Sequence, residues 1–528
     1  MRPDTSSSPI PQRIESWLDA ELSPTLRLAI TCTVLSISSL IVIYLHHSEW
    51  LLRIGVLGIG LLALFFSSNN RVVFITCVVA LLGVSVVLLF YRLGEGSLYN
   101  WDEAIYAQVS AELLKSHEWL NLTWNNAPFF HKPPLEFWLT SLTYNLIGVT
   151  EFAARFWSAF FGLGVLVVTF LFGCRIRRWT VGATAVLLLL TVDHGYFSYW
   201  YNFLGLARVG MLETPLIFWT TLSLLLWWEA RQRPALIALV GIPVGLAIMT
   251  KAWLGLIPVA VIVAFEIVRK RTDAIQWKFI SISLLLAATI VLPWHLWQVW
   301  RNGSPFVHDY VVVNLLGRVS GTVEGHHYSG LYYLNVISQG FPLWKYVLPL
   351  AVIWTLWNAL KHRSEKHLLL LMWLAVPLVL LSLSQTKLGW YISTAYPPLA
   401  LLMALTLDEI VGHRLALAGV AIIAALCCIR LPIASDGSPG IKKFAVTHAE
   451  LFPNRRIYVA GQNLLCGPPP TSIYEHNYNG SVPPALLFYT QATVTCISID
   501  RFKLLPEAES LSVIDDKSLG LLRVYIGD

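Results

Sequence analysis

Apolar runs of roughly 17–22 residues recur along the first ~430 positions of this chain, and they restrict its fold more than any motif does. A run of that length crosses the hydrocarbon layer, where every backbone N–H and C=O must be satisfied within its own segment, so each run is expected to be a helix. Three come first, near Leu28–Leu45, Trp50–Phe66 and Val72–Tyr91. After a long polar stretch follow Phe152–Gly173, Val181–Val192, Met211–Trp228, Ala235–Met249, Leu254–Val268 and Phe279–Leu296. The last four lie near Leu343–Leu360, His367–Leu383, Tyr391–Leu407 and Leu415–Ile429. The expected fold class is therefore a polytopic α-helical membrane protein of about thirteen spans.

With 56% hydrophobic and only 13% charged residues, the 528-residue chain is not that of a soluble protein. Its net charge of +6 could suggest a nucleic-acid partner. The basic residues, however, sit in short clusters between apolar runs, as cytoplasmic loops do, and we expect membrane lipids as partners and no nucleic acid. The clusters Arg175/Arg177/Arg178, Arg231/Arg233, Arg269/Lys270/Arg271, Lys361/Arg363/Lys366 and His413/Arg414 fall at alternate connections. Placing all five in the cytoplasm puts the polar tail 1–27 there too and sends the C-terminus outside. The tail lacks the charged start and short apolar core of a cleavable signal peptide, so the first span is expected to direct insertion.

The same parity puts the connections 92–150, 193–210, Thr250–Trp253, 297–342 and Ser384–Trp390 on the outer face. They carry Lys251, Arg318, His326-His327 and Lys387. Any one of these at a helix end could simply reach for the interface. Collected on one face beside a pair of acids, they form a candidate site for an anionic substrate.

Beyond the domain of spans, 28–430, the character changes. Residues 431–528 are punctuated by Pro and Gly and hold strand-like runs, RRIYVAG, PALLFYT, TVTCISI and LRVYIG, which read as a small mixed α/β domain on the outer face. It shows no metal-ligand spacing, phosphate-binding glycine loop or nucleophile elbow. Cys466 and Cys496 could pair if the segment is exported, and their spacing does not decide it.

Most of the polar chemistry lies in Asn100–Trp138. Asp102–Ser116 reads as an amphipathic helix, with Ile105, Val109 and Leu113 on one face. Asn100 and Glu103 have the spacing of a capping box, which would explain the acids structurally. The same first turn also suits Asp102 as a proton acceptor. Further on, Pro133-Pro134 stiffen the backbone after Lys132, so its ammonium is presented in a defined direction, as a phosphate-binding point charge needs. His131 beside it could bind phosphate, ligate a metal or hydrogen-bond a sugar.

The pattern D-E-x-x-Y, a loop ending in K-P-P, then W-L-T-x-L-x-x-x-L-x-G-V-x-E-F-A-A-R resembles the GT-C superfamily of membrane glycosyltransferases. Within it, the chain is similar to the family of the aminoarabinose transferases acting on lipid A and the protein O-mannosyltransferases. The likeness spans Asp102–Arg155. It continues through Ala207–Pro215, Thr250-Lys251, Asn314–Arg318, His327 before a Tyr pair, and Thr386–Tyr391. It implies an inverting glycosyltransferase that moves a sugar from a polyprenyl-phosphate donor to a lipid, glycan or protein acceptor. Asp102 and Glu103 would be the catalytic acids, with Asp102 the base. Lys132, Arg318, Lys387 and Lys251 would hold the donor phosphate. Tyr106, His131, His327, Tyr391, Arg208 and Glu213 would line the substrate cavity. The implied location is a bacterial inner membrane, with the active site outside.

Three positions depart from the family's pattern. His131 stands where the aminoarabinose transferases have an acid, Ile105 where they have an arginine, and Glu213 where an aspartate is common. The aminoarabinose substrate is therefore not carried over. The sequence assigns no cofactor, and a divalent metal on His131 or His327 is left open. A transporter or flippase would share the spans and buried charges. It would place its binding residues at mid-membrane, often in repeated halves, which this sequence does not show.

Overall fold

A computed structural model describes residues 49–66, 70–191, 201–270, 276–321, 328–341, 343–429, 436–452, 456–460, 483–492, 494–496, 512–514 and 523–527. The span expected at Leu28–Leu45, His327 and the Cys466–Cys496 pairing lie outside them.

The apolar runs form helices. The first described are α1 (Glu49–Phe65) and α2 (Arg71–Phe90), the latter capped by Asn70, whose side chain accepts from Val72 N. The polar stretch supplies α3 (Asp102–Ser116), the hairpin β1–β2 (Thr123–Trp124 and Ala127–Pro128) and α4 (Leu135–Ile147). Then come α5 (Glu151–Ile176), α6 (Trp179–Leu190), the short α7 (Phe203–Ala207), α8 (Glu213–Ala230), α9 (Leu236–Lys251) and α10 (Ile257–Arg269). A 3₁₀ turn, Ala252–Leu256, breaks the run between α9 and α10 and ends α9 on Lys251. The series continues with α11 (Trp277–Val307), α12 (Tyr332–Gly340), α13 (Leu348–Lys361), α14 (Glu365–Leu383), α15 (Tyr396–Ile410) and α16 (His413–Ile423). Among the described residues six helical runs are long and apolar enough to cross a membrane, and two shorter helical runs, Trp179–Leu190 and His413–Cys427, are mainly apolar. The chain is a polytopic helical membrane protein.

The five basic clusters meet at one end, knitted by ion pairs. Arg177 reaches Asp408 (3.0 Å), Arg269 and Arg231 share Glu365, and Lys366 reaches Glu409 (2.6 Å).

The connection 297–342, expected as a loop, is largely helical in its described part. α11 runs on past its apolar stretch, kinks at Gly303 and continues as π-helical turns over His308–Gly317. The extension has a packing reason. Trp294 Nε1 and Gln298 Nε2 both donate to Leu120 O, and Phe306 meets Phe130 edge-on at 5.5 Å, so the helix pins the polar 92–150 stretch.

The C-terminal segment is mixed α/β, with strand order β4-β3-β6-β5. Here β3 is Arg456–Ala460, β4 Val494–Cys496, β5 Ser512–Ile514 and β6 Arg523–Gly527. Helix α17 (Pro439–Thr447) precedes the sheet. PALLFYT, expected as a strand, is helix α18 (Pro484–Thr490). Pro484 suits a first helical turn, and β3 and β4 are parallel, so the chain between them needs a crossover, which this helix provides. Nor does the sheet stand alone. Phe444, Ile457, Val459, Leu486, Leu487, Val494 and Val524 share one apolar core with Ile105, Val109, Leu113, Leu122 and Trp124.

Candidate active site

Helix α3 places both acids in its first turn, but the expected capping box does not form. Trp101 holds the cap position without a side-chain bond. Glu103 is 1% exposed and turns inward to Arg155, itself 0% exposed. Arg155 Nε donates to Glu103 Oε1 at 2.6 Å and Nη2 to Oε2 at 3.3 Å. The guanidinium also donates to Leu93 O, Glu95 O and Ser97 O at 3.2, 3.1 and 2.9 Å. Glu103 also accepts Tyr99 N (2.8 Å) and Gly210 N (3.0 Å). Gly210 makes that approach because it has no side chain: a Cβ there would sit 2.8 Å from Ala154 O. A buried guanidinium without a counter-ion would be strongly destabilising, and that need outranks a cap. Glu103 is thus committed inside the protein, while Asp102 beside it is only half-buried.

Asp102 lies close enough to Glu213 to act on it electrostatically. Glu213 is buried and forms an ion pair with Lys251, whose ammonium sits 4.8 Å over the Tyr391 ring. α3, α8, the end of α9 and the turn before α15 therefore converge on one charged cluster.

A second, cationic cluster adjoins the H-K-P-P turn. His131 is buried, stacks on Phe129 at 5.2 Å and feels the charges of Lys132 and Arg318. Its own protonation is pushed well below the usual histidine range, first by burial, then by Lys132 and Arg318. Such surroundings suit an anion better than a metal ion, and among the described residues no group of three or more His, Cys, Asp or Glu side chains could hold one. Arg318 is brought to Lys387 by backbone pairing: Thr386 N and Ser384 Oγ both donate to Arg318 O, at 3.1 and 2.8 Å, and Lys387 Nζ donates to Ser384 O at 2.6 Å. The turn that carries Lys387 goes on to Tyr391, linking this cluster to Lys251.

Aromatic rings tie the acid helix to the cations. Tyr106, one turn after Asp102, meets Phe137 edge-on at 5.7 Å; Phe137 meets Phe129 at 5.6 Å, and Phe129 carries His131. Arg208, expected to line the cavity, does otherwise. Its guanidinium donates to Leu88 O, Leu89 O and Tyr91 O at 3.0, 2.8 and 2.7 Å and so satisfies carbonyls at the end of α2, which have no partner within their own helix.

Glu136, in the first turn of α4, went unnoticed in the sequence because an acid there is ordinary. It is 8% exposed, and its Oε2 accepts no hydrogen bond among the described residues. Burial pushes its carboxyl up to about 8. Between the ordinary value of 4.5 and about 8, the unfolded chain releases a proton that the folded chain keeps. Stability therefore falls as pH rises through that window, at up to about 1.4 kcal/mol per pH unit. Glu136→Gln is expected to remove this slope. In thermal melts its advantage over the parent should grow from pH 5 to pH 8; parallel curves would contradict the buried neutral acid.

The fold and the two clusters define a class, a polytopic membrane protein with an acid and several cations gathered at one end. The comparisons make it more particular. The family model described as dolichyl-phosphate-mannose-protein mannosyltransferase matches residues 79–304. The chain is similar to the undecaprenyl phosphate-alpha-4-amino-4-deoxy-L-arabinose arabinosyl transferase of Erwinia tasmaniensis (strain DSM 17950 / CFBP 7177 / CIP 109463 / NCPPB 4357 / Et1/99), 30% identical over 58% of this chain and 55% of that protein. To transferase 2 of that name from Sodalis glossinidius (strain morsitans) it is 30% identical over 67% of this chain and 64% of the relative. An uncharacterized protein of Aquifex aeolicus (strain VF5) is 28% identical over 60% of this chain and 61% of its own length. The chain thus spans between 55% and 64% of these relatives. Among solved structures, ArnT from Cupriavidus metallidurans bound to undecaprenyl phosphate superposes with a TM-score of 0.67 at 18% identity, over 85% of this chain and 97% of that one. The archaeal oligosaccharyltransferase AglB from Archaeoglobus fulgidus, in complex with an inhibitory peptide and a dolichol-phosphate, gives 0.52 at 13% identity, over 79% and 64%. The chain has the fold of the ArnT structure and is similar in sequence to the arabinosyl transferases named above.

Proposed function

We propose that the chain is an inverting glycosyltransferase that takes a sugar from a polyprenyl phosphate and moves it to a lipid, glycan or protein acceptor at the outer face of a bacterial inner membrane. What supports this reading is a pair of charged clusters, Asp102 with Glu213 and Lys251, and His131 with Lys132 and Arg318, the last joined by backbone pairing to the turn of Lys387. The relatives named for undecaprenyl phosphate, and the ArnT structure holding it, supply the donor class.

In this reading Asp102 accepts the proton of an acceptor hydroxyl as its oxygen attacks C1 of the sugar. The C1–O bond to phosphate breaks, and its electron pair leaves with polyprenyl phosphate. Lys132, Arg318 and Lys387 stabilise the charge gathering on that phosphate. Attack opposite the leaving group inverts the anomeric centre. Lys251, held by Glu213 over Tyr391, orients the sugar end, and Glu103 acts only by holding Arg155 and the start of α3. The same reading takes the expected topology of about thirteen spans, with the N-terminus in the cytoplasm and the C-terminal segment outside. Lys132→Ala is expected to weaken undecaprenyl phosphate binding by roughly tenfold, the worth of one charge-assisted contact. Unchanged affinity in a direct binding titration would remove Lys132 from the phosphate site.

A further inference from the structure

The residues just before Asp102 are held by the far end of the chain. Ser97 Oγ donates to Asp436 Oδ1 at 2.5 Å and accepts Ser438 N–H at 2.7 Å, while Ser97 O accepts Gly437 N–H at 3.2 Å. Lys442 Nζ donates to Gly96 O at 2.6 Å. Leu98 N donates to the Tyr489 hydroxyl at 2.8 Å, and Ala485 N to Asn100 Oδ1 at 3.0 Å. Gly437 lies flat on Tyr99, where a Cβ would come within 2.4 Å of Tyr99 Cα. Tyr489 in turn donates to Glu151 Oε1 at 3.2 Å, an oxygen that Lys442 also reaches at 2.5 Å.

A second hold falls on the hairpin that leads into the H-K-P-P turn. Asn125 Nδ2 donates to Val494 O at 2.8 Å, and Val494 N returns a bond to Asn125 Oδ1 at 3.2 Å. From below, Glu112 of α3 accepts Thr123 Oγ1, Asn125 N and Asn126 N at 2.8, 2.7 and 3.2 Å. One C-terminal unit thus grips both the strap in front of Asp102 and the hairpin in front of Lys132.

We propose that the C-terminal segment is a positioning clamp for the transfer reaction: through Tyr489 on Leu98 and Val494 on Asn125 it sets the spacing between Asp102 and Lys132. The inference rests on the roles given to those two residues above. Residues 96–100 belong to no helix or strand; Arg155 on Ser97 O and Glu103 on Tyr99 N hold them from the membrane-helix side, and the C-terminal bonds hold them from the other. A displacement of about 1 Å between reacting groups can lower a rate by ~10²-fold. Tyr489 and Asn125 are positioning residues, because neither needs to touch substrate to act.

The test uses the full chain in lipid nanodiscs, with undecaprenyl phosphate as binding probe and a donor identified by turnover. Tyr489→Phe should raise amide hydrogen exchange across residues 96–101 at least tenfold. It should also lower kcat by roughly 10–100-fold while KM, probe affinity and melting temperature stay near the parent's. Asn125→Ala should lower kcat in the same way and loosen only the hairpin. The clamp is overturned if exchange is unchanged, if exchange rises without loss of kcat, or if kcat, KM and melting temperature all worsen together as for general fold support. Asp102→Asn in parallel separates the two claims. If it keeps turnover, the base assignment fails; if it is inactive while Tyr489→Phe runs at the parent's rate, the clamp alone fails.

Discussion

Asp102→Asn is expected to lower sugar transfer by roughly 10²–10⁴-fold, the usual worth of a positioned general base, while undecaprenyl phosphate still binds and the protein melts where the parent does. The expectation follows from where the residue sits. Asp102 is half-buried at the mouth of α3 and near the Glu213–Lys251 pair, whereas the hydrogen bonds described above for Arg155 go to Glu103 and to backbone carbonyls. An amide keeps its size and removes its ability to accept a proton. Parent-like turnover in the variant would strike Asp102 from the mechanism.

Glu103→Gln, one residue along, should fail in a different manner. The Glu103–Arg155 pair is closed to solvent, and breaking a buried pair by removing one charge costs about 3–5 kcal/mol because the other charge is left uncompensated. Against a typical stability of ~5–15 kcal/mol, that is enough to deplete folded protein. The expected readout is a large fall in monodisperse yield and melting temperature, with losses of activity that track the folded fraction. Pairing the change with Arg155→Met should recover part of the stability, since no buried charge is then left without a counter-ion. A Glu103→Gln protein of parent-like stability and no activity would instead make Glu103 a chemical participant.

These neighbouring acids show what the sequence could and could not reveal. Helix α3 was legible to its ends, because Ile105, Val109 and Leu113 give it an apolar face that any helix would bury. Which acid faces inward was not legible, because that depends on Arg155, 52 residues away. Lys251, Arg318 and Lys387 could be grouped by sidedness alone, since helices of membrane length bring alternate connections to one end. Arg208 misled for the same reason: a cation near the right end looks like a ligand until the carbonyls of Leu88, Leu89 and Tyr91 are seen to claim it. PALLFYT misled because a short apolar run has no period of its own, and the parallel pairing of β3 with β4 decided it. Glu136 gave no sign, because burial is a property of the packed helices and not of the residue.

The central claim is that these residues transfer a sugar and do not merely carry a lipid across the bilayer. Its most direct measurement is incubation of the purified protein with a panel of undecaprenyl-phosphate sugars and simple hydroxyl acceptors, following donor, free undecaprenyl phosphate and anomeric configuration together. The account predicts that one donor is consumed, that undecaprenyl phosphate appears in equal amount, and that the new glycosidic bond has inverted configuration. Retention at the anomeric carbon, or donors that cross a vesicle membrane intact with no phosphate released, would contradict it.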